Sequence, residues 1–147
     1  MVSAEIEKKH QTLTVSKDII YPYIYMDISR FTEIILNLIS NAIKYMDKGK
    51  GMKGIIQIRV KDVGDFVQIE IEDNGKGIGQ KELPYIFDRF YRTDSSRNSS
   101  KGGSGIGLSI VKKIIEDHGG KIWATSKLGI GTEIHFVLRK IAADSQQ

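Results

Sequence analysis

The stretch Val67-Gln68-Ile69-Glu70-Ile71-Glu72-Asp73-Asn74-Gly75-Lys76-Gly77-Ile78-Gly79 decides the fold. Val67, Ile69 and Ile71 alternate with Gln68, Glu70 and Glu72, the period-two pattern of a strand with one buried face. Asp73 falls in phase with the three apolar residues. An inward apolar series therefore ends in a carboxylate, immediately before a run of glycines. A buried carboxylate is costly unless something pairs with it. Asp-Asn-Gly is also an ordinary turn at a strand end, and this segment alone leaves both readings open.

Upstream, Ile56, Ile58 and Val60 alternate with Gln57 and Arg59. The turn Asp62-Val63-Gly64-Asp65 joins that run to the first as an antiparallel hairpin. Leu13 and Val15 mark a short strand, and Ile19 to Met26, broken by Pro22, reads as an edge segment. Asp27 is placed to cap a helix from Ile28 to Met46, where Phe31, Ile34, Ile35, Leu38, Ile39, Ala42 and Ile43 recur at helical spacing. A Lys/Gly loop follows from Asp47 to Gly54. Downstream, the pattern predicts a short helix over Gln80 to Phe87 and a polar, mobile loop over Tyr91 to Gly105. It then predicts a helix over Ile106 to His118 ending at Gly119, and two closing strands, Lys121 to Thr125 and Thr132 to Leu138. The layout is an α/β (α+β) two-layer sandwich: a mixed, mostly antiparallel sheet of about five strands with about three helices on one face. All 147 residues form one domain, with an ordered core over about 10–140 and a frayed polar tail.

The chain carries 22 basic and 18 acidic residues, a mild net charge of +4 with the signs mixed along the sequence, so no nucleic-acid patch is demanded. It has no cysteine, which excludes disulfides and thiolate metal sites. No apolar run approaches the roughly 18 residues that span a bilayer, and the first residues lack the apolar core of a signal peptide. No His, Asp or Ser arrangement along the chain makes a hydrolytic triad or a transition-metal set.

A second glycine cluster, Gly102-Gly103-Ser104-Gly105-Ile106-Gly107-Leu108, stands about thirty residues beyond the first and opens a helix. A glycine turn feeding a helix N-terminus can receive phosphate. On the first long helix Asn37, Asn41 and Lys44 fall at i, i+4 and i+7 and so share a face, with Glu33 one turn earlier. Amide oxygens beside a cation suit Mg²⁺ with phosphate better than a transition metal. Each element taken alone is more simply a solvated helix face or a packing turn. Together they point to a nucleotide site, with the 6-amino group of a purine as a partner for Asp73. Neither cluster is a Walker A loop or a dinucleotide fingerprint: no window fits GxxxxGK[ST], and where GxGxxG needs its last glycine Gly75-Lys76-Gly77 leads to Gln80 and Gly103-Ser104-Gly105 to Leu108. Lys44, Arg89, Arg92, Arg97 and Lys101 supply cations nearby.

Five segments, in order and spacing, resemble the motifs of one family. Asn37-Leu-Ile-Ser-Asn41-Ala-Ile-Lys44-Tyr45 resembles the N box of bacterial sensor histidine kinases. Asp73-Asn-Gly-Lys-Gly77-Ile78 is similar to their first glycine box, and Ile86-Phe87-Asp-Arg-Phe90-Tyr-Arg92 to their F box. Gly103-Ser-Gly105-Ile-Gly107-Leu108 is similar to the second glycine box, and Gly129-Ile-Gly131-Thr132 to the terminal glycine-Thr element. The chain is thus identified with the catalytic ATP-binding domain of two-component kinases, in the group that includes gyrase, Hsp90 and MutL, with the Bergerat-type fold.

The resemblance implies roles for individual positions. Asn41 would hold Mg²⁺, helped by Asn37, and Lys44 would reach the phosphates of ATP. Asp73 would accept from the adenine 6-amino group, with Tyr45, Gly75, Gly77 and Ile78 lining the base. Phe87 and Phe90 would anchor a lid, and Arg92 would approach the γ-phosphate. Gly103, Gly105, Gly107 and Leu108 would cradle phosphate, and Thr132 would support the adenine pocket. Related ATPases carry a glutamate base at the position of Asn37. An amide cannot take a proton, which favours phosphoryl transfer over hydrolysis, an ATPase switch and an anti-sigma-type Ser/Thr kinase being the alternatives.

The family's phosphoacceptor helix has no counterpart here: His10 is followed by Gln-Thr-Leu and heads into a strand. The implied whole is a homodimeric parent kinase, cytoplasmic at this domain and in this family commonly membrane-anchored. Its partners would be a helical phosphoacceptor domain and a response regulator, with this fragment monomeric and inefficient at phosphorylating itself.

Overall fold

The computed structural model describes residues 11–18, 24, 26–46, 53–89 and 107–141. Five strands are formed: β1 (Gln11–Asp18), β2 (Gly54–Val63), β3 (Phe66–Asp73), β4 (Lys121–Lys127) and β5 (Gly131–Arg139). The two α-helices among the described residues are α1 (Ile28–Lys44) and α2 (Gly107–Asp117). The strands form one sheet in the order β1-β2-β3-β5-β4. β2, β3, β5 and β4 pair antiparallel, while β1 lies parallel to β2 along one edge.

The local rules of the chain explain most of this. Asp27 caps α1, accepting from the Ser29 backbone N–H at 2.8 Å and the Ser29 hydroxyl at 2.7 Å. Helical periodicity then aims Ile34, Leu38, Ile39, Ala42 and Ile43 at the sheet. They meet Ile56 and Ile58 of β2, Val67, Ile69 and Ile71 of β3, and Ile134, Phe136 and Leu138 of β5. Val111, Ile114 and Ile115 of α2 complete the same core. At the end of α2 the Gly120 N–H bonds the Ile115 carbonyl and the Gly119 N–H bonds the Glu116 carbonyl, the paired pattern of a Schellman stop.

Two expectations are corrected. In place of a helix over Gln80 to Phe87 there is a single 3₁₀ turn, Leu83–Tyr85. Pro84 sits inside it; it has no N–H to extend a helix, and the segment is too short to nucleate one. The third expected helix is therefore absent among the described residues. The two closing strands also run further than expected, to Lys127 and from Gly131. The segment 19–23 and the loop 90–106 lie outside the described residues; Ile24 makes one isolated bridge to Lys140.

The face of the sheet away from the helices is organised by charge. Arg59 bonds Glu70 at 3.0 Å, Glu72 at 3.1 Å and Glu133 at 2.9 Å, and Lys61 and His135 reach Glu70 at 3.0 and 2.9 Å. Trp123 stacks flat on His135 with ring centroids 5.4 Å apart. Glu70 is consequently 5% exposed on a face that carries no helix among the described residues. Burial pushes its carboxyl up, but the hydrogen bonds from Arg59, Lys61, Gln68 and His135 outweigh burial and hold it down at about 2.

A folded value below the unfolded 4.5 means that the charged Glu70 stabilises the fold above that pH. The contribution is lost as pH falls from about 4.5 toward 2. Glu70→Gln is expected to lower neutral-pH stability by up to about 3 kcal/mol. It should also flatten the acid limb of stability against pH, read from urea midpoints between pH 5 and 2. Equal slopes for the two proteins would contradict this.

Candidate functional site

Three neighbouring strands bring three side chains into one row. Asp73 pairs with Thr132 across β3–β5, and Thr132 pairs with Ser126 across β5–β4. In phase with the core, all three face the helix side at the end of the sheet. Asp73 is 9% and Thr132 is 6% exposed. Asp73 Oδ1 accepts the Gly75 N–H at 2.8 Å. The turn reading and the inward reading of Asp73 are therefore both realised: one carboxylate closes the turn and sits in phase with Ile69 and Ile71.

The glycine run docks on two elements. The Lys76 N–H bonds the Tyr45 carbonyl just past the end of α1. A Cβ at Gly75 would stand 2.6 Å from that same oxygen. Gly77 has φ 79°, and a Cβ there would collide with the Lys127 carbonyl. The space is filled by protein backbone, and the glycines let the loop press against α1 on one side and the β4–β5 turn on the other. Ile78, buried, donates its N–H to Ser126 Oγ at 2.8 Å, and the Gly129 N–H bonds the Lys76 carbonyl at 2.8 Å.

The polar stripe of α1 forms the other end. Asn37 Nδ2 donates to the Glu33 carbonyl at 2.8 Å, which turns its Oδ1 outward. That oxygen faces the start of α2: a Cβ built on Gly107 would lie 3.5 Å from it. Gly107 and Asn37, 70 residues apart in sequence, therefore adjoin. An amide held with its oxygen toward a helix N-terminus offers a neutral donor atom beside the backbone N–H groups of the first turn, a suitable setting for a hydrated cation with phosphate. Lys44 and Lys76 place their ammonium groups over the Tyr45 ring, at 5.4 and 5.5 Å from its centroid. Among the described residues no three His, Cys, Asp or Glu side chains cluster at metal-binding distance.

A residue-by-residue match to a family model covers 26–141. The chain belongs to the histidine kinase-, DNA gyrase B- and HSP90-like ATPase family. Sensor histidine kinase WalK of Bacillus subtilis is 40% identical over 116 residues, 79% of this chain and 19% of WalK. Sensor protein RprX of Bacteroides fragilis is 34% identical over 140 residues, 95% of this chain and 27% of RprX. The chain thus spans about a fifth to a quarter of these relatives. Among solved structures, the catalytic domain of histidine kinase ThkA superposes with a TM-score of 0.77 at 30% identity, covering 94% of this chain and 86% of that one. Full-length ShkA, solved in complex with AMPPNP, gives 0.80 at 26% identity over 97% of this chain and 28% of its own.

Within this histidine kinase-like ATPase fold, Asn37, Asn41, Lys44 and Tyr45 lie together on and just past α1. Asp73, Gly75, Gly77, Ile78 and Thr132 gather at the sheet end, and Gly107 and Leu108 open α2. Phe87 follows the 3₁₀ turn, half-buried beside buried Ile86. Phe90, Arg92, Gly103 and Gly105 lie outside the described residues. A groove of about 460 Å³ at the sheet end is lined by Asp73, Ser126 and Thr132 of the row described above. Its other walls include Gln57, Glu72, Thr125 and Glu133 of the opposite sheet face. No helix among the described residues is long and apolar enough to cross a membrane.

Two contributors were not legible. Asn74 finishes the β2 edge, accepting the Ile55 N–H at 2.7 Å and donating to the Lys53 carbonyl at 3.0 Å. Ser126 is the other. A serine within a strand carries no sequence signal, and its partners are set by strand register. Gly77→Ala is expected to cost about 1–3 kcal/mol through its positive φ and the Lys127 contact. A lower urea midpoint at unchanged slope is the expected reading, and an unchanged midpoint would contradict the close docking.

Proposed function

We propose that this chain is the ATP- and Mg²⁺-binding catalytic domain of a sensor histidine kinase. It donates the γ-phosphoryl of ATP to a histidine on a separate helical domain. The observation that carries the reading is Asn37, an amide oriented by the Glu33 carbonyl with its oxygen toward Gly107. It stands where a water-activating carboxylate would be needed for hydrolysis, and an amide is no base. The site is thereby suited to position the phosphates for an incoming nucleophile.

The residues divide the work. Asp73 accepts from the adenine 6-amino group, with Thr132 beside it and Ile78 and Tyr45 against the base. Asn41 and Asn37 hold the metal through amide oxygens, and Lys44 reaches the phosphates. Gly103, Gly105, Gly107 and Leu108 offer backbone N–H groups, and Phe87, Phe90 and Arg92 serve the lid. Mg²⁺, when bound, neutralises charge on the phosphate oxygens. In the transfer, an imidazole nitrogen of the acceptor attacks the γ-phosphorus in line. The bond to the β,γ-bridging oxygen breaks, ADP leaves with its electron pair, and the imidazole N–H proton goes to solvent. The partners are the helical phosphoacceptor domain of a dimeric parent and a response regulator. The domain works in the cytoplasm as part of that parent kinase.

The chain mixed with such a helical domain and γ-labelled ATP should give an acid-labile phosphoprotein while turning over little ATP alone. An acid-stable product, or fast hydrolysis without partner, would overturn the proposal. In nucleotide titrations Asn41→Ala should abolish most of the Mg²⁺-dependent gain in ATP affinity. Asp73→Asn should weaken ATP binding about tenfold or more, since an amide N–H then faces the adenine amine. Unchanged affinity in Asp73→Asn would remove the assignment of the adenine pocket.

A further inference from the structure

Ser126 of β4 joins the glycine loop to β5 at the sheet end. Its Oγ accepts the Ile78 N–H at 2.8 Å, stands 2.7 Å from Thr132 Oγ1 and 2.9 Å from the Gly131 carbonyl oxygen. Its own carbonyl accepts Gln80 Nε2 at 2.8 Å. The hydroxyl carries one proton and two lone pairs. Ile78 N–H takes one lone pair. The Gly131 oxygen can only accept, so the Ser126 proton goes there. The remaining lone pair of Ser126 then meets Thr132, whose proton completes the 2.7 Å bond. This is the arrangement in which two protons serve both short oxygen–oxygen contacts; the reverse assignment leaves Ser126 and Gly131 oxygens facing each other at 2.9 Å with no proton between them.

The consequence reaches the next residue in the row. With its proton drawn toward Ser126, Thr132 turns only lone pairs away from β4, toward the side where Asp73 stands. The Asp73 carboxylate is also an acceptor. The recognition edge therefore consists of two neighbouring acceptors. Such an edge binds an exocyclic amine, which has only protons to offer there. It repels a carbonyl at the same place, because a buried acceptor facing an acceptor is left unpaired.

We propose that Ser126 is a positioning and specificity residue: by fixing the direction of the Thr132 hydroxyl proton it makes the purine pocket an all-acceptor edge, selecting 6-amino over 6-oxo purines. This rests on the adenine reading of Asp73. Ser126 itself acts through Thr132 and does not touch the base.

The test compares ATP and GTP, each with Mg²⁺, by competition against a fluorescent ATP analogue on the intact chain. The wild type should prefer ATP. In Ser126→Ala the Thr132 proton is released to turn toward the base. ATP affinity should then fall roughly tenfold, GTP affinity should hold or rise, and the ATP-to-GTP ratio should narrow. Ser126→Thr, which keeps the hydroxyl, should restore the ratio. Thr132→Val removes the proton altogether, and in that background Ser126→Ala should no longer change the ratio. A parallel loss of both nucleotides in Ser126→Ala, with the ratio kept, would overturn the proposal and leave Ser126 a fastening of the loop. A wild type that does not distinguish ATP from GTP would overturn the adenine reading, and the proposal with it.

Discussion

Burial of a carboxylate at the end of an apolar strand face is the constraint on which the rest depends. Asp73 continues the line of Val67, Ile69 and Ile71, so the geometry that builds the core also delivers a charge to the core's rim. The chain turns back at once and gives that charge the Gly75 N–H, which helps to make its burial tolerable. The turn must then be held, and two close backbone approaches hold it. Gly75 and Gly77 permit these approaches against Tyr45 and Lys127. The end of α1, the β4–β5 turn and the glycine loop are thereby locked into one rim.

The two sheet faces carry separate loads. The helix side is apolar and fixes where α1 and α2 sit, hence where Asn37 meets Gly107. The other side is an ion-pair network centred on Arg59 and Glu70, which ties the same strands together on a face that no helix among the described residues covers. The alternation of β3, Ile against Glu, is thus the record of two environments. The site inherits rigidity from both, since Asp73, Thr132 and Ser126 sit on strands that the two faces clamp.

Much of this was legible. The 3.6 period of α1, the Asp27 cap, the β2–β3 hairpin and the phase of Asp73 follow from local rules, and the structure bears them out. The parallel pairing of β1 with β2 was not legible, because no local pattern encodes which distant edge a strand joins. The 80–87 segment was misread because its apolar spacing resembles a turn of helix while Pro84 limits it to 3₁₀ geometry. Within the candidate site, residues whose types announce chemistry were singled out by type and spacing. Ser126 and Asn74 were missed because their importance comes from register: each is an ordinary polar residue until its strand neighbours are known.

The central claim is that the sheet-end row and the α1 stripe form the two ends of one nucleotide site. Backbone amide shifts during titration with ADP and Mg²⁺ test it most directly. The account predicts that Gly75, Ile78 and Thr132 shift together with Asn37, Asn41 and Gly107, all fitting one dissociation constant. Shifts confined to Gln57, Glu72, Thr125 and Glu133, on the opposite sheet face, would contradict it.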